Sequence, residues 1–246
     1  MNQHNFDLMI RSVLIDWSKL NNNSYVREIE ALREIDEIAF HKPVTFFVGE
    51  NGSGKSTLIE AMAVEYGFNH EGGTLNYNFS TYEERSELAE AVTLVKGVRR
   101  AKWGYYLRAE SFFNVATMEE EYAESEWTSD KLHYQSHGES FIAIAQKHFK
   151  GNGLFFLDEP EAALSPQRQL SLLLEIYKCA KNSAQFFVVT HSPILLGLPG
   201  AEILSFDEGQ IHEIAYEETG SYQITSAFVN KREKMLDELF HGDDDI

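Results

Sequence analysis

Two rhythms of apolar residues run along this chain. Short unbroken runs rich in β-branched and aromatic residues predict strands at LMIRSVLI (8–15), EIAFHKPVTFFVG (37–49), GLFFLDEP (153–160) and AQFFVVTHSP (184–193). WGYYLRAESFF (103–113) predicts a strand that leaves into a loop, and EILSFDEGQIHEIAYE (202–217) two short strands around an Asp-Glu-Gly turn. Longer amphipathic or apolar stretches predict helices at KSTLIEAMAVEYGF (55–68), GESFIAIAQKHFK (138–150), SPQRQLSLLLEIYKCAKN (165–182) and TSAFVNKREKMLDELF (225–240). Ser165 is placed as the N-cap of the third of these, with Pro166 in its first turn. Residues 69–92 mix loop and helix signals, and the acidic run ATMEEEYAESEWTSDK (116–131) predicts a solvated helix or a mobile segment. The strand–helix–strand succession after residue 153 is the pattern of a parallel sheet covered by helices.

Composition narrows the class. With 246 residues and no low-complexity linker or internal repeat, one domain spanning 1–246 is expected. Within it, 1–48 supply N-terminal strands, 49–67 a loop and helix, 68–132 a helical or irregular subregion, and 133–246 the remaining sheet and helices. The net charge of −18 repels nucleic acid and anionic membranes unless a local basic patch overrides it. A single cysteine, Cys179, excludes a disulfide within one chain, and its apolar surroundings point to a buried thiol. No run is long enough for a signal peptide or a membrane span, so a cytoplasmic protein without a membrane span is expected.

The strongest chemical signal is GENGSGKST, Gly49 to Thr57, which follows an apolar strand and opens a helix. That context is the one a G-x-x-x-x-G-K-[ST] phosphate loop requires. Its glycines allow the backbone N–H groups of Asn51, Gly52, Ser53 and Gly54 to curl around a phosphate. Lys55 supplies a point charge toward the β- and γ-phosphates, Ser56 a hydroxyl for Mg²⁺, and Thr57 a contact to the α-phosphate. A second signal is Asp158-Glu159 at the end of a buried strand. Neighbouring strand residues face opposite ways, so the two carboxylates can divide the work. Asp158 suits the outer Mg²⁺ shell and Glu159 the orientation and polarisation of an attacking water.

GENGSGKST, SHGES, FFLDEPEAALSP and VVTHSP occur in the order and approximate spacing of ABC-type ATPase heads, which the chain resembles over nearly its whole length. DEPEAALSP with THSP resembles the RecF/SMC/OLD-like branch. Phrases such as VTFFVGENGSGKSTL and QSHGESF are similar to a group of small bacterial predicted ATPases of unestablished role. The resemblance implies an α/β P-loop NTPase fold, with a mostly parallel sheet flanked by helices and an antiparallel β subdomain. It implies ATP and Mg²⁺ as cofactors and ATP hydrolysis as the activity. It makes Ser136, Gly138 and Glu139 a signature loop, with Gln135 where the family has leucine and His137 in place of the first glycine. It makes Ser165 a cross-subunit contact and His191 a switch histidine bonded to the γ-phosphate, although a histidine after a buried strand read alone is a structural one. Glu110 is the candidate Q-loop ligand to the metal, with Arg108 and Ser111 as rivals.

In such heads the signature loop completes the nucleotide site of a second subunit, so a homodimer closing head to head on ATP is expected. About 80 residues separate Lys55 from Ser136, with no heptad array, and about 55 follow His191. That describes a bare ATPase head working with an unknown protein partner, in nucleic-acid maintenance or defence. KGVRRAKWGYYLR (96–108) interleaves basic and aromatic residues and makes nucleic acid a possible partner despite the net charge, the bland reading being a solvated turn. Tyr25 is the candidate adenine contact, ahead of the strand aromatics Phe40 and Phe46. Two other functions fit less of the pattern: an ABC transporter ATPase subunit, and a slow-turnover regulatory ATP-binding module.

Overall fold

A computed structural model describes residues 8–33, 35–75, 86–108 and 137–241, with side chains from 142 onward in the last span. Strand order in the main sheet is β10-β9-β3-β8-β7-β6-β4, made from β3 (Val44–Val48), β4 (Gly73–Thr74), β6 (Trp103–Arg108), β7 (Gly153–Asp158), β8 (Gln185–Val189), β9 (Glu202–Ser205) and β10 (His212–Glu213). The five central strands run parallel, and β10 and β4 close the two flanks antiparallel. Every residue of β3, β7, β8 and β9 is buried, as expected for parallel strands covered on both faces. Alternation sends Phe47, Phe156 and Phe187 to one face and Phe46, Phe155 and Phe186 to the other. Phe156 and Phe187 stack at 5.3 Å, and Phe155 and Phe186 at 4.6 Å, so an aromatic layer backs each side.

On the first face lies α1 (Lys55–Tyr66), with Leu58, Ile59, Ala61 and Met62 fully buried. A smaller antiparallel sheet, β2-β1-β5, covers α1 from outside, with β1 (Ile10–Ile15), β2 (Glu37–Ala39) and β5 (Val92–Lys96). α2 (Glu87–Ala91) leads into β5, a strand that the sequence pattern did not mark. On the second face lie α3 (His137–His148) and α4 (Pro166–Lys181), packed on each other. Gln185 joins the two sheets from the start of β8: its Oε1 accepts the N–H groups of Met9 and Ile10, each at 2.9 Å, and its Nε2 donates to Ile10 O. Glu202, buried at the start of β9, accepts from Thr45 Oγ1 at 2.6 Å and from the His41 N–H.

The fold is the P-loop NTPase α/β class with a small antiparallel sheet, as expected. The predicted turn between β9 and β10 forms with Glu208 and Gly209 at positive φ. The single terminal helix expected at 225–240 is instead two, α6 (Gly220–Asn230) and α7 (Arg232–His241), after the short α5 (Pro193–Leu196). The helices part at Lys231, which takes φ −133° and ψ 36°, and beside it Asn230 Nδ2 donates to Ser226 O at 2.9 Å. Ser165 sits at the N-cap of α4 as expected, but with no side-chain cap bond; its carbonyl receives the N–H groups of Arg168 and Gln169.

Candidate functional site

Parallel strands end on one edge, and a parallel α/β sheet gathers chemistry there. β3 delivers Gly49, β7 delivers Asp158 and Glu159, β8 delivers His191, and β9 delivers Asp207. The loop between β3 and α1 curls because Gly49, Gly52 and Gly54 take φ of 139°, 83° and 97°. At Gly54 space is lacking as well: a Cβ would lie 2.6 Å from Ile29 Cγ2. Asn51 and Gly52 are exposed, and Ser53 and Thr57 are half-buried. Lys55, itself buried, donates through Nζ to Gly49 O at 2.8 Å, Glu50 O at 2.6 Å and Ser53 Oγ at 3.2 Å.

The acid pair meets this loop directly. Ser56 Oγ donates to Asp158 Oδ1 at 2.9 Å, across 102 residues of sequence. Glu159 turns the chain out of β7 in the left-handed region, φ 48° and ψ 52°, and its N–H is held by Val189 O at 3.0 Å. A non-glycine residue there costs about 1 kcal/mol or more, so the surrounding bonds must hold it. His191 Nε2 lies 4.0 Å from Glu159 Oε1, and both side chains are 43% exposed. That is too far for a hydrogen bond between them and close enough for both to touch one molecule.

Three residues at this edge escaped the sequence reading. Asp207 Oδ1 accepts the Glu50 N–H at 2.9 Å and so caps the first turn of the phosphate loop from the neighbouring strand. Glu161 Oε1 accepts the His191 N–H at 2.6 Å. Gln169 donates through Nε2 to Leu164 O at 3.0 Å and accepts from Ser192 Oγ at 2.6 Å. Only Glu161 had a local signal, a third carboxylate within DEPE.

Burial pushes the Lys55 ammonium below its ordinary pKa, while Asp207, Glu159, Asp158 and Glu50 act to hold it up. Four carboxylates therefore act on one cation. Among the described residues, no group of three or more His, Cys, Asp or Glu could hold a metal. The hydroxyl of Ser56 and the carboxylate of Asp158 are hard oxygen donors that fit Mg²⁺, which takes its remaining ligands from phosphate and water. Beside the loop opens a cleft of about 710 Å³ lined by Tyr25, Ile29, Gly52, Ser53, Phe206 and Asp207 among others. Tyr25 is 51% exposed there, whereas Phe40 and Phe46 are buried in the core and closed to a base.

Glu110, its rival Ser111, and Ser136 lie outside the described residues. Gly138 and Glu139 fall in the first turn of α3, whose side chains there also lie outside them. Arg108 is paired with Glu60 at 3.2 Å and donates to His70 O at 3.2 Å. The basic stretch divides. Arg108 ends β6 at the nucleotide edge, while Lys96, Arg99, Arg100 and Lys102 lie at the opposite edge. Tyr105 and Tyr106, expected among its interleaved aromatics, are each 1% exposed and belong to the core; Trp103 is half-exposed beneath Lys150.

A phosphate loop, an acid pair and a histidine on the C-terminal edge of a parallel sheet define a P-loop ATPase of ABC-like head type. The AAA_23 family, described as an AAA domain, matches residues 23–177, more than half of the chain, and the chain belongs to that family. Among solved structures, it is similar to the SMC head domain from Thermotoga maritima, with TM-score 0.46, 16% identity, and coverage of 84% of this chain and 98% of that one. It is also similar to CbiO1 from Clostridium perfringens, part of the ABC transporter complex CbiONQ, with TM-score 0.43, 13% identity, and coverage of 93% and 99%. No curated protein matches the sequence significantly. Among the described residues no helix is long and apolar enough to cross a membrane.

Proposed function

We propose that this protein is an ATP-hydrolysing molecular switch whose heads close in pairs on ATP and drive a partner in nucleic-acid maintenance or defence. The observation that carries the reading is the 2.9 Å bond between Ser56 Oγ and Asp158 Oδ1, with Glu159 and His191 4.0 Å apart on the same edge. The loop N–H groups from Asn51 to Thr57 and the Lys55 ammonium bind the phosphates, for which Lys55 exchanges its present carbonyl partners. Tyr25 covers the base in the adjoining cleft. Ser56 and Asp158 would hold Mg²⁺, which neutralises charge on the phosphates when bound. Glu159 orients the attacking water and takes its proton, and His191 donates to the terminal phosphate. Ser136, Gly138 and Glu139 of a second copy complete the site, so ATP favours a reciprocal two-fold dimer and its loss releases it.

The test is Glu159→Gln, which keeps the shape and removes the base. With saturating ATP and Mg²⁺ this variant elutes as a dimer in size-exclusion chromatography with light scattering, and reverts to monomer with ADP. A strictly monomeric profile in ATP would overturn the head-to-head reading.

A further inference from the structure

The segment carrying His191 is fastened at two points to the loop that follows the acid pair. One point is Glu161, whose Oε1 accepts the His191 backbone N–H at 2.6 Å. The other is Gln169, which bonds Leu164 O with one end of its amide and Ser192 Oγ with the other, at 3.0 Å and 2.6 Å. Neither bond belongs to a helix or strand ladder. Ser192 is also the N-cap of α5, accepting from Ile194 and Leu195 N–H at 3.2 Å, so its hydroxyl is fully used. Glu161 sits in the turn Pro160–Ala163, directly after the strained Glu159, and its second oxygen is buried without a hydrogen bond. Burial raises the Glu161 carboxyl above the usual carboxylate range, against the lowering effect of the His191 N–H and the Thr190 hydroxyl. A buried carboxylate is costly to keep, and this one directs its contacts to Thr190 and His191, the segment that carries the histidine.

We infer that Glu161 and Gln169 are positioning residues, a two-point brace that holds His191 in register with Glu159 and ties its segment to the loop 160–165. This inference rests on the proposed role of His191. Loop 160–165 ends at Ser165, the residue assigned to the second subunit's site, so the brace links the histidine of one site to the contact made across the dimer. Loss of the brace leaves the phosphate loop and its bonds unchanged, because neither residue touches residues 49 to 57 in any of these contacts. It therefore lowers turnover without weakening nucleotide binding.

The experiment is a double-mutant cycle on the full chain, reading kcat and the Kd of a fluorescent ATP analogue. Glu161→Ala lowers kcat about tenfold or more while Kd stays within about twofold. Glu161→Gln, which keeps an oxygen acceptor for the His191 N–H, restores most of that loss. In a His191→Ala background, Glu161→Ala costs little further, because it acts through a histidine already removed. Gln169→Ala, a shorter cut at the second point, lowers kcat in the same direction and serves where Glu161→Ala does not fold. Additive losses in the cycle, or equal losses in kcat and Kd with no rescue by glutamine, would overturn the brace while leaving the ATPase reading intact. A wild-type chain that hydrolyses no ATP overturns both.

Discussion

The two edges of the main sheet carry opposite charge, and the contrast says more than the net value of −18. At the edge where β3, β7, β8 and β9 end, Glu50, Asp158, Glu159 and Asp207 act on the Lys55 ammonium, with Arg108 at the end of β6 beside them. At the edge where those strands begin, the exposed cations Lys96, Arg100 and Lys102 meet Lys150 and Lys181, with Arg99 half-buried beside them. The loops of this second edge are bonded into one surface. Arg99 donates to Asn152 Oδ1, Lys102 N–H to Asn152 O at 3.0 Å, and Asn152 N–H to Asn182 O at 3.0 Å. Lys150 lies 4.9 Å over the ring of Trp103, and Lys96 lies 4.8 Å over Tyr66. A Debye length of about 8 Å at physiological salt hides each edge from the other. The net charge therefore describes neither edge by itself.

The largest effect expected from this contrast is at the acidic edge. Asp158→Ala, or chelation of Mg²⁺ with excess EDTA, lowers ATP hydrolysis roughly a hundredfold or more, and chelation weakens binding of an ATP analogue about tenfold or more. Binding measured by fluorescence titration that is indifferent to EDTA would break the claim that carboxylates dominate there. At the basic edge, a labelled 30-base-pair duplex raises wild-type ATPase about two- to fivefold at low salt, and the triple variant Arg100→Ala, Lys102→Ala, Lys150→Ala loses that increment. No stimulation of wild type by duplex or single strand removes nucleic acid from the partners. The smallest effect concerns Cys179, between the edges on α4. Burial pushes its thiol up to about 11, so at pH 8 it reacts with iodoacetamide only after unfolding, which mass spectrometry along a urea series reads directly.

How far the sequence shows this arrangement depends on the range of the signal. The phosphate loop was legible because nine consecutive residues carry it, between a strand and a helix that local patterns mark. Asp158 and Glu159 were legible because a buried run of apolar residues ends at them. Asp207, by contrast, stands 157 residues from the Glu50 N–H it caps, in a turn whose residues suit any hairpin. Gln169 looks like an ordinary polar position on an amphipathic helix, and Gln185 like the first residue of a strand; both are defined by partners that only the fold brings near. The break at Lys231 has neither the glycine nor the proline that marks a helix end in sequence. The basic stretch misled for the opposite reason: adjacency in sequence suggested one patch, and β6 carried Arg108 to the far end.

α1 has one more consequence. It lies between β7 and β8 on one side and α2 and β5 on the other, with Ser56 and Glu65 left exposed, and its first residue is Lys55. A rod gripped from both sides neither slides nor tilts without prising two layers apart. If the proposed switch operates, Lys55 therefore belongs to its stationary side, and movement falls to the parts of the molecule outside those two layers.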